Sequence, residues 1–188
     1  MNDKSTINNQ QSTINNPQTS IEDQILYEDN HLLILNKKNS QIVHGDKTND
    51  ISLEDMVKDY LRVKYNKKGN VYCGVVHRLD RPVSGCVIFA KTEKALVRLN
   101  AMVKNHEIHK TYWAITRQKP PKEQDTLKNY MLRDEKKNKS FITKDVNKGS
   151  YAELDYRLIA QSEYYYLLEV NLKTGRHHQI RLQLSHIG

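Results

Sequence analysis

Residues 75–90 read Val75-Val76-His77-Arg78-Leu79-Asp80-Arg81-Pro82-Val83-Ser84-Gly85-Cys86-Val87-Ile88-Phe89-Ala90. Apolar residues at both ends predict two buried strands, and the polar middle, broken by proline and glycine, predicts a loop between them. A loop carried on two rigid strands is where function concentrates. Its acid, Asp80, is bracketed by Arg78 and Arg81, and nearby guanidinium groups favour a carboxylate over its protonated form. An ionised, positioned carboxylate is one of the few side chains able to act as a nucleophile at a sugar carbon. The same spacing also describes a salt-bridged turn that only ties two strands together.

Working outward from this loop, Ile25–Tyr27 and Leu32–Leu35 flank the turn-prone Glu28-Asp29-Asn30 and predict a β-hairpin. Ser52 with Asp55 resembles a capping box. Leu53, Met56, Val57, Tyr60 and Leu61 then recur at helical spacing, with a stop expected near Lys67-Lys68-Gly69. Thr92 is placed to cap a second helix carrying Leu96, Leu99 and Val103, and Lys110–Thr116 returns to an extended pattern. Residues 117–150, with Pro120, Pro121 and the basic run Arg133–Lys139, suggest a long excursion or a mobile hairpin. The charge of that run also fits a merely solvated face. Ala152, Leu154, Tyr156 and Leu158 alternate over a strand, Tyr164–Leu172 supplies another, and Thr174-Gly175 is expected to open a last helix. The mixture predicts an α+β domain with a mixed, largely antiparallel sheet flanked by helices.

Hydrophobic residues make up 37% of 188, enough for one main domain, expected over 21–188. Residues 1–20 are polar, Asn/Gln-rich and repeat STINN, a composition that predicts a disordered tail. That tail holds one acid and one base, so the net charge of +8 belongs to the remainder and favours a polyanionic partner. Cys73 and Cys86 form no zinc-spaced set, and no apolar run approaches a membrane span. A cytoplasmic, monomeric protein without metal or membrane partner is expected.

Two further segments carry candidate chemistry. In Lys110-Thr111-Tyr112-Trp113, alternation puts Lys110 and Tyr112 on one strand face; Tyr112 is either a ring for stacking on a base or an ordinary sheet aromatic. Leu172-Lys173-Thr174-Gly175-Arg176-His177-His178-Gln179-Ile180-Arg181 runs from a strand end through a glycine turn, and a helix N-terminus beside Arg176 and Arg181 would suit a phosphate or carboxylate. His177 and His178 diverge on a helix and lack an acid or cysteine to complete a metal site.

HRLDRPVSG (77–85), KTYWAIT (110–116) and LKTGRHHQIR (172–181), in this order, resemble the three motifs of the RluA family of RNA pseudouridine synthases, and YEDNHLLILNKK (27–38) resembles the family's opening hairpin. The resemblance implies the pseudouridine synthase catalytic fold and a cofactor-free isomerisation of uridine in structured RNA. On it, Asp80 matches the catalytic aspartate, which attacks C1′ or removes a sugar proton to give a glycal. Arg78 matches the arginine that fills the space of a flipped nucleotide, Tyr112 the tyrosine that stacks on the flipped base, and Arg181 the basic residue paired with the aspartate. His77, Arg81, Lys110, Arg176 and Gln179 are expected to contact RNA. Large-subunit ribosomal RNA is the family's commonest target and transfer RNA the next.

Val83 stands where the family usually has threonine and Lys38 where proline is common, both away from the chemistry. Family members normally continue beyond the position of Gly188, so a C-terminally truncated domain is expected. The rival expectation is a non-catalytic RNA-binding fragment or degenerate synthase, against which the retention of Asp80, Tyr112 and Arg181 argues.

Overall fold

The computed structural model describes residues 20–188, so the tail expected over 1–20 lies almost wholly outside the described residues. The chain divides into two compact units, one up to Leu96 and one from Val97 onward, and each has its own sheet and core.

The first unit carries β1 (Ile25–Glu28), β2 (Leu32–Lys37), α1 (Leu53–Lys64), β3 (Gly74–Val75) and β4 (Gly85–Ala90), its strands ordered β1-β2-β4-β3 and all antiparallel. The predicted opening hairpin is β1–β2. Asp29 shapes its turn by accepting from the backbone N–H groups of His31 and Leu32 at 2.7 Å each. Period-2 alternation turns Leu33, Leu35 and Lys37 inward, opposite Phe89, Val87 and Gly85. Leu53, Val57 and Leu61 of α1 close over this face, each contributing about 2 kcal/mol by leaving water.

The capping box at Ser52 and Asp55 is present in both directions. Leu53 N–H donates to Ile42 at 2.8 Å and Glu54 N–H to Val43 at 3.1 Å, so the first turn of α1 lacks few partners. The helix stops sooner than expected: Asn66, at φ 46°, takes the left-handed position ahead of Gly69. An Asn side chain tolerates that conformation, so the glycine is not needed to end the helix.

Glu28 at the end of β1 is buried among four donors. Lys64 lies at 2.8 Å, Lys91 at 2.7 Å and the hydroxyls of Tyr60 and Tyr65 at 2.7 Å each. Burial pushes its carboxyl up, but these hydrogen bonds outweigh that and hold it down at about 2.

α2 (Glu93–Lys104), capped by Thr92 through its 3.2 Å contact with Ala95 N–H, runs across the division between the units. The second unit carries β5 (Lys110–Thr116), β6 (Gln124–Asp134), β7 (Lys139–Thr143), β8 (Ser150–Gln161), β9 (Tyr166–Leu172) and α3 (Gln179–Ile187). Its strands run antiparallel in the order β5-β9-β8-β6-β7. Leu154, Tyr156, Leu168 and Val170 form the buried face, against which Leu184, Ile180 and Ile187 of α3 pack. The excursion expected over 117–150 is the β6–β7 hairpin, with the basic run at its tip and Asn138 left-handed at φ 49°.

α3 begins at Gln179 rather than at Thr174-Gly175. His178, at φ 55°, breaks the helical path immediately before it, and residues 174–178 form a hydrogen-bonded loop. Among the described residues no helix is long and apolar enough to cross a membrane.

Candidate active site

Asp80 sits half-buried in a four-residue turn closed by the 3.0 Å bond from Val83 N–H to the Asp80 carbonyl. Two anchors hold the backbone of this turn. Ser40 N–H donates to the Arg81 carbonyl at 2.9 Å, and the fully buried ammonium of Lys37 donates to four carbonyls: Asp80 at 3.2 Å, Arg81 at 3.0 Å, Val83 at 2.5 Å and Lys38 at 3.1 Å. A primary ammonium has three N–H bonds, so these carbonyls share them and the turn is gripped on several sides. Burial pushes the Lys37 ammonium below its ordinary range, the Asp80 charge opposes that, and the Arg81 charge adds to it. Gly85, at φ 126°, leads the chain back into β4 opposite Lys37 through a conformation that side chains rarely adopt.

The other residues of the loop divide between anchoring and exposure. His77 Nε2 accepts from Ile88 N–H at 3.3 Å, which fastens the start of the loop to β4. Arg78 is exposed at the surface of the turn. Arg81 pairs with Asp50 and donates to Thr48 at 3.2 Å, tying the turn to the segment ahead of α1. Its guanidinium, expected to contact RNA, has Asp50 as an ion partner and lowers that carboxyl.

In the second unit Lys110 and Tyr112 lie on one face of β5, as expected. Tyr112 is half-buried opposite Val170 against the core, whereas Trp113 points the other way and is 73% exposed. Lys110 Nζ runs alongside Gly175, 3.9 Å from where a Cβ on that residue would stand.

Gln179 organises the 174–178 loop. Only 3% exposed, it accepts from the Thr174 hydroxyl at 2.8 Å and from Arg176 N–H at 3.0 Å, and its amino group donates to the Glu153 carbonyl at 3.1 Å. Gln179 N–H in turn donates to the Arg176 carbonyl at 3.1 Å. Gln179 thus shapes the loop that leads into α3, and the N–H groups of Arg176 and Gln179 are taken up within it. Arg176 is exposed and fixed through Nε to the Tyr151 carbonyl at 2.8 Å, and Arg181 is exposed on α3. His177 is held by Ser140 of β7, whose hydroxyl donates to the His177 carbonyl at 3.0 Å and lies 2.9 Å from its Nδ1. Among the described residues no cluster of His, Cys, Asp or Glu could hold a metal ion.

The two motif-bearing segments are thus built differently, a gripped turn that opens on an acid and a self-bonded loop that displays arginines. The sequence pattern of the RNA pseudouridylate synthase family matches residues 31–186 and spans both. The chain belongs to the RNA pseudouridine synthase family. It is 34% identical over 165 residues to a ribosomal large subunit pseudouridine synthase C from Buchnera aphidicola, covering 88% of this chain and 51% of that protein. It is 34% identical over 167 residues to a ribosomal large subunit pseudouridine synthase D from Zymomonas mobilis, covering 88% and 52%. The chain therefore spans about half the length of these curated relatives. Among solved structures, human RNA pseudouridylate synthase domain containing 4 superposes with a TM-score of 0.75 at 21% identity, over 88% of this chain and 65% of that one. Its likeness establishes the pseudouridine synthase fold and the α+β class.

Three residues of this family member escaped the sequence reading: Lys37, Ser140 and Asp50. Lys37 left a legible signal, because it occupies the third inward position after Leu33 and Leu35 in a strand whose inward face is otherwise apolar. Ser140 and Asp50 left none, since their partners His177 and Arg81 are 37 and 31 residues away.

Proposed function

We propose that this chain is the catalytic portion of an RNA pseudouridine synthase, working over residues 21–188, with ribosomal RNA of the large subunit as its substrate and Asp80 as its nucleophile. The observation that carries the reading is the grip of Lys37 on the Asp80 turn. A buried ammonium shared by four carbonyls is a costly way to hold a surface turn, and what it holds still is the backbone of a carboxylate. The names of the relatives from Buchnera and Zymomonas support the choice of ribosomal RNA.

Uridine and pseudouridine are isomers, so the reaction breaks the bond from N1 to C1′, forms one from C5 to C1′, and moves a proton from C5 with no net redox change. The Asp80 carboxylate starts it, by attack at C1′ or by removing a sugar proton, while the detached uracil turns before it reattaches through carbon. Arg78, exposed on the turn, takes the space of the flipped nucleotide and offsets about a few kcal/mol of unstacking. Tyr112 stacks on the base and Arg181 supplies the cation that partners the acid. Lys110 and Arg176 contact the RNA backbone.

The test uses ribosomal RNA labelled with tritium at uracil C5, since each turnover releases that proton to water. Wild-type protein is expected to release tritium, and Asp80→Asn to release none while keeping RNA affinity within about twofold, because the change removes a charge but not a contact surface. Release by Asp80→Asn would remove the nucleophile from the proposal. Binding without release by the wild type would favour a purely RNA-binding role.

A further inference from the structure

In the second unit a cleft of about 580 Å3 opens between the β6–β7 pair and the C-terminal half of α3. It exists because β7 pairs with β6 only from Tyr130 to Asp134, which leaves the 124–129 stretch of β6 with an open edge on that side. Ile142 and Leu182 give the cleft an apolar floor, and Lys128, Lys144, His186, Thr143 and Ser185 stand around it with no carboxylate among its lining residues. Lys128 is 60% exposed at the rim, with Glu153, its cross-strand neighbour, as an ion partner at 3.9 Å.

One donor in this cleft is oriented by the core beneath it. Gln183 is fully buried, and its amino group donates to the carbonyls of Leu127 at 3.1 Å and Ala152 at 3.4 Å, partners that accept only. That sets which way round the Gln183 amide lies. The same amino group donates to Asn129 Oδ1 at 2.8 Å, which in turn leaves the Asn129 amino group as the end that serves the cleft. A buried amide with no exposure of its own thus selects a donor, not an acceptor, for the ligand.

We propose that this cleft docks a backbone phosphate of the RNA substrate, with Lys128 and Lys144 neutralising it, the Asn129 amino group donating to it, and the apolar floor accepting the adjoining ribose. The inference rests on the proposed action on RNA, and it uses none of the residues assigned to chemistry. RNA is the favoured source of the phosphate because the cleft is open at an exposed strand edge. A free mononucleotide is bound tightly where most of its surface is enclosed. Placed here, a phosphate contact anchors the RNA without reading its bases.

The test measures binding of a fluorescein-labelled ribosomal RNA stem-loop to the full chain across a salt series, together with tritium release. The Lys128→Gln/Lys144→Gln double variant is expected to bind about tenfold more weakly at 0.1 M salt, with a log–log salt slope shallower by about two. Asn129→Asp, which keeps the oxygen for Gln183 and replaces the donor by a negative charge, is expected to weaken binding by a similar factor. Maximal tritium release at saturating RNA stays at the wild-type level in both. Lys122→Gln/Lys148→Gln makes the same charge change away from the cleft and is expected to move affinity much less.

Unchanged affinity and slope in the first two variants, or an equal loss in the Lys122/Lys148 control, would overturn the docking site. So would tight, saturable binding of inorganic phosphate or uridine monophosphate that these variants abolish while RNA binding is untouched. If the wild type releases no tritium yet the cleft variants lose RNA, the catalytic reading fails and the docking site stands.

Discussion

The ammonium of Lys37, at the end of an inward-facing strand, donates to the backbone carbonyl of Asp80 from 3.2 Å, across 43 residues of sequence. The acid is therefore held in place through its main chain. Positioning by a core residue is more exact than positioning by the loop itself, because Lys37 is set by the pairing of β2 with β4.

Replacing Lys37 by Met keeps the length and apolar stem of the side chain but removes the buried ammonium that the carbonyls of Lys38, Asp80, Arg81 and Val83 share. Lys37→Met is expected to lower unfolding free energy by about 3 kcal/mol, read from urea melts, and to reduce tritium release by more than its loss of folded protein explains. An unchanged urea midpoint would show that the turn holds its shape without the lysine.

Gln179→Ala separates a shaping role from a contacting one. Loss of its three side-chain hydrogen bonds is expected to cost about 2 kcal/mol and to loosen the loop bearing Arg176. Thermal stability and RNA affinity are measured together. A weaker RNA affinity with undiminished stability would mean that Gln179 contacts RNA directly.

The cluster around Glu28 makes a pH-dependent prediction. Its carboxyl is held at about 2, below its ordinary 4.5, so the stability it supplies is fully present above about pH 4.5 and is lost as pH falls through about 2. With the side chain only 8% exposed, the contribution is on the order of 3 kcal/mol. Glu28→Gln is expected to be less stable than wild type by a constant margin at neutral pH, and the margin should shrink between about pH 4.5 and 2. A margin that persists unchanged to pH 2 would mean that the carboxylate's charge does not matter.

What was legible in the sequence follows from locality. The opening hairpin, the capping box at Ser52, the cap at Thr92 and the alternation through Ala152, Leu154 and Tyr156 each depend on neighbours within a few residues, and all appear where the pattern put them. The family was legible because side-chain types at fixed spacing identify it without reference to shape.

Element ends were less legible: α3 starts at Gln179 because Thr174 and Arg176 bond to a side chain that a helical reading treats as solvent-facing. The pairing of Arg81 with Asp50 was not legible either, because a guanidinium reaches several residues' width and folding brings Asp50 to it across 31 residues of sequence.

By itself, then, the sequence determined the family, the α+β class and most of the strands and helices, since propensity, alternation and motif spacing are short-range properties. Only the tertiary structure decided what each polar group is bonded to. Lys37 grips a turn, Gln179 shapes a loop and Gln183 turns Asn129 toward a cleft because hydrogen bonds are made in space, between atoms that strand pairing and core packing bring together from distant parts of the chain.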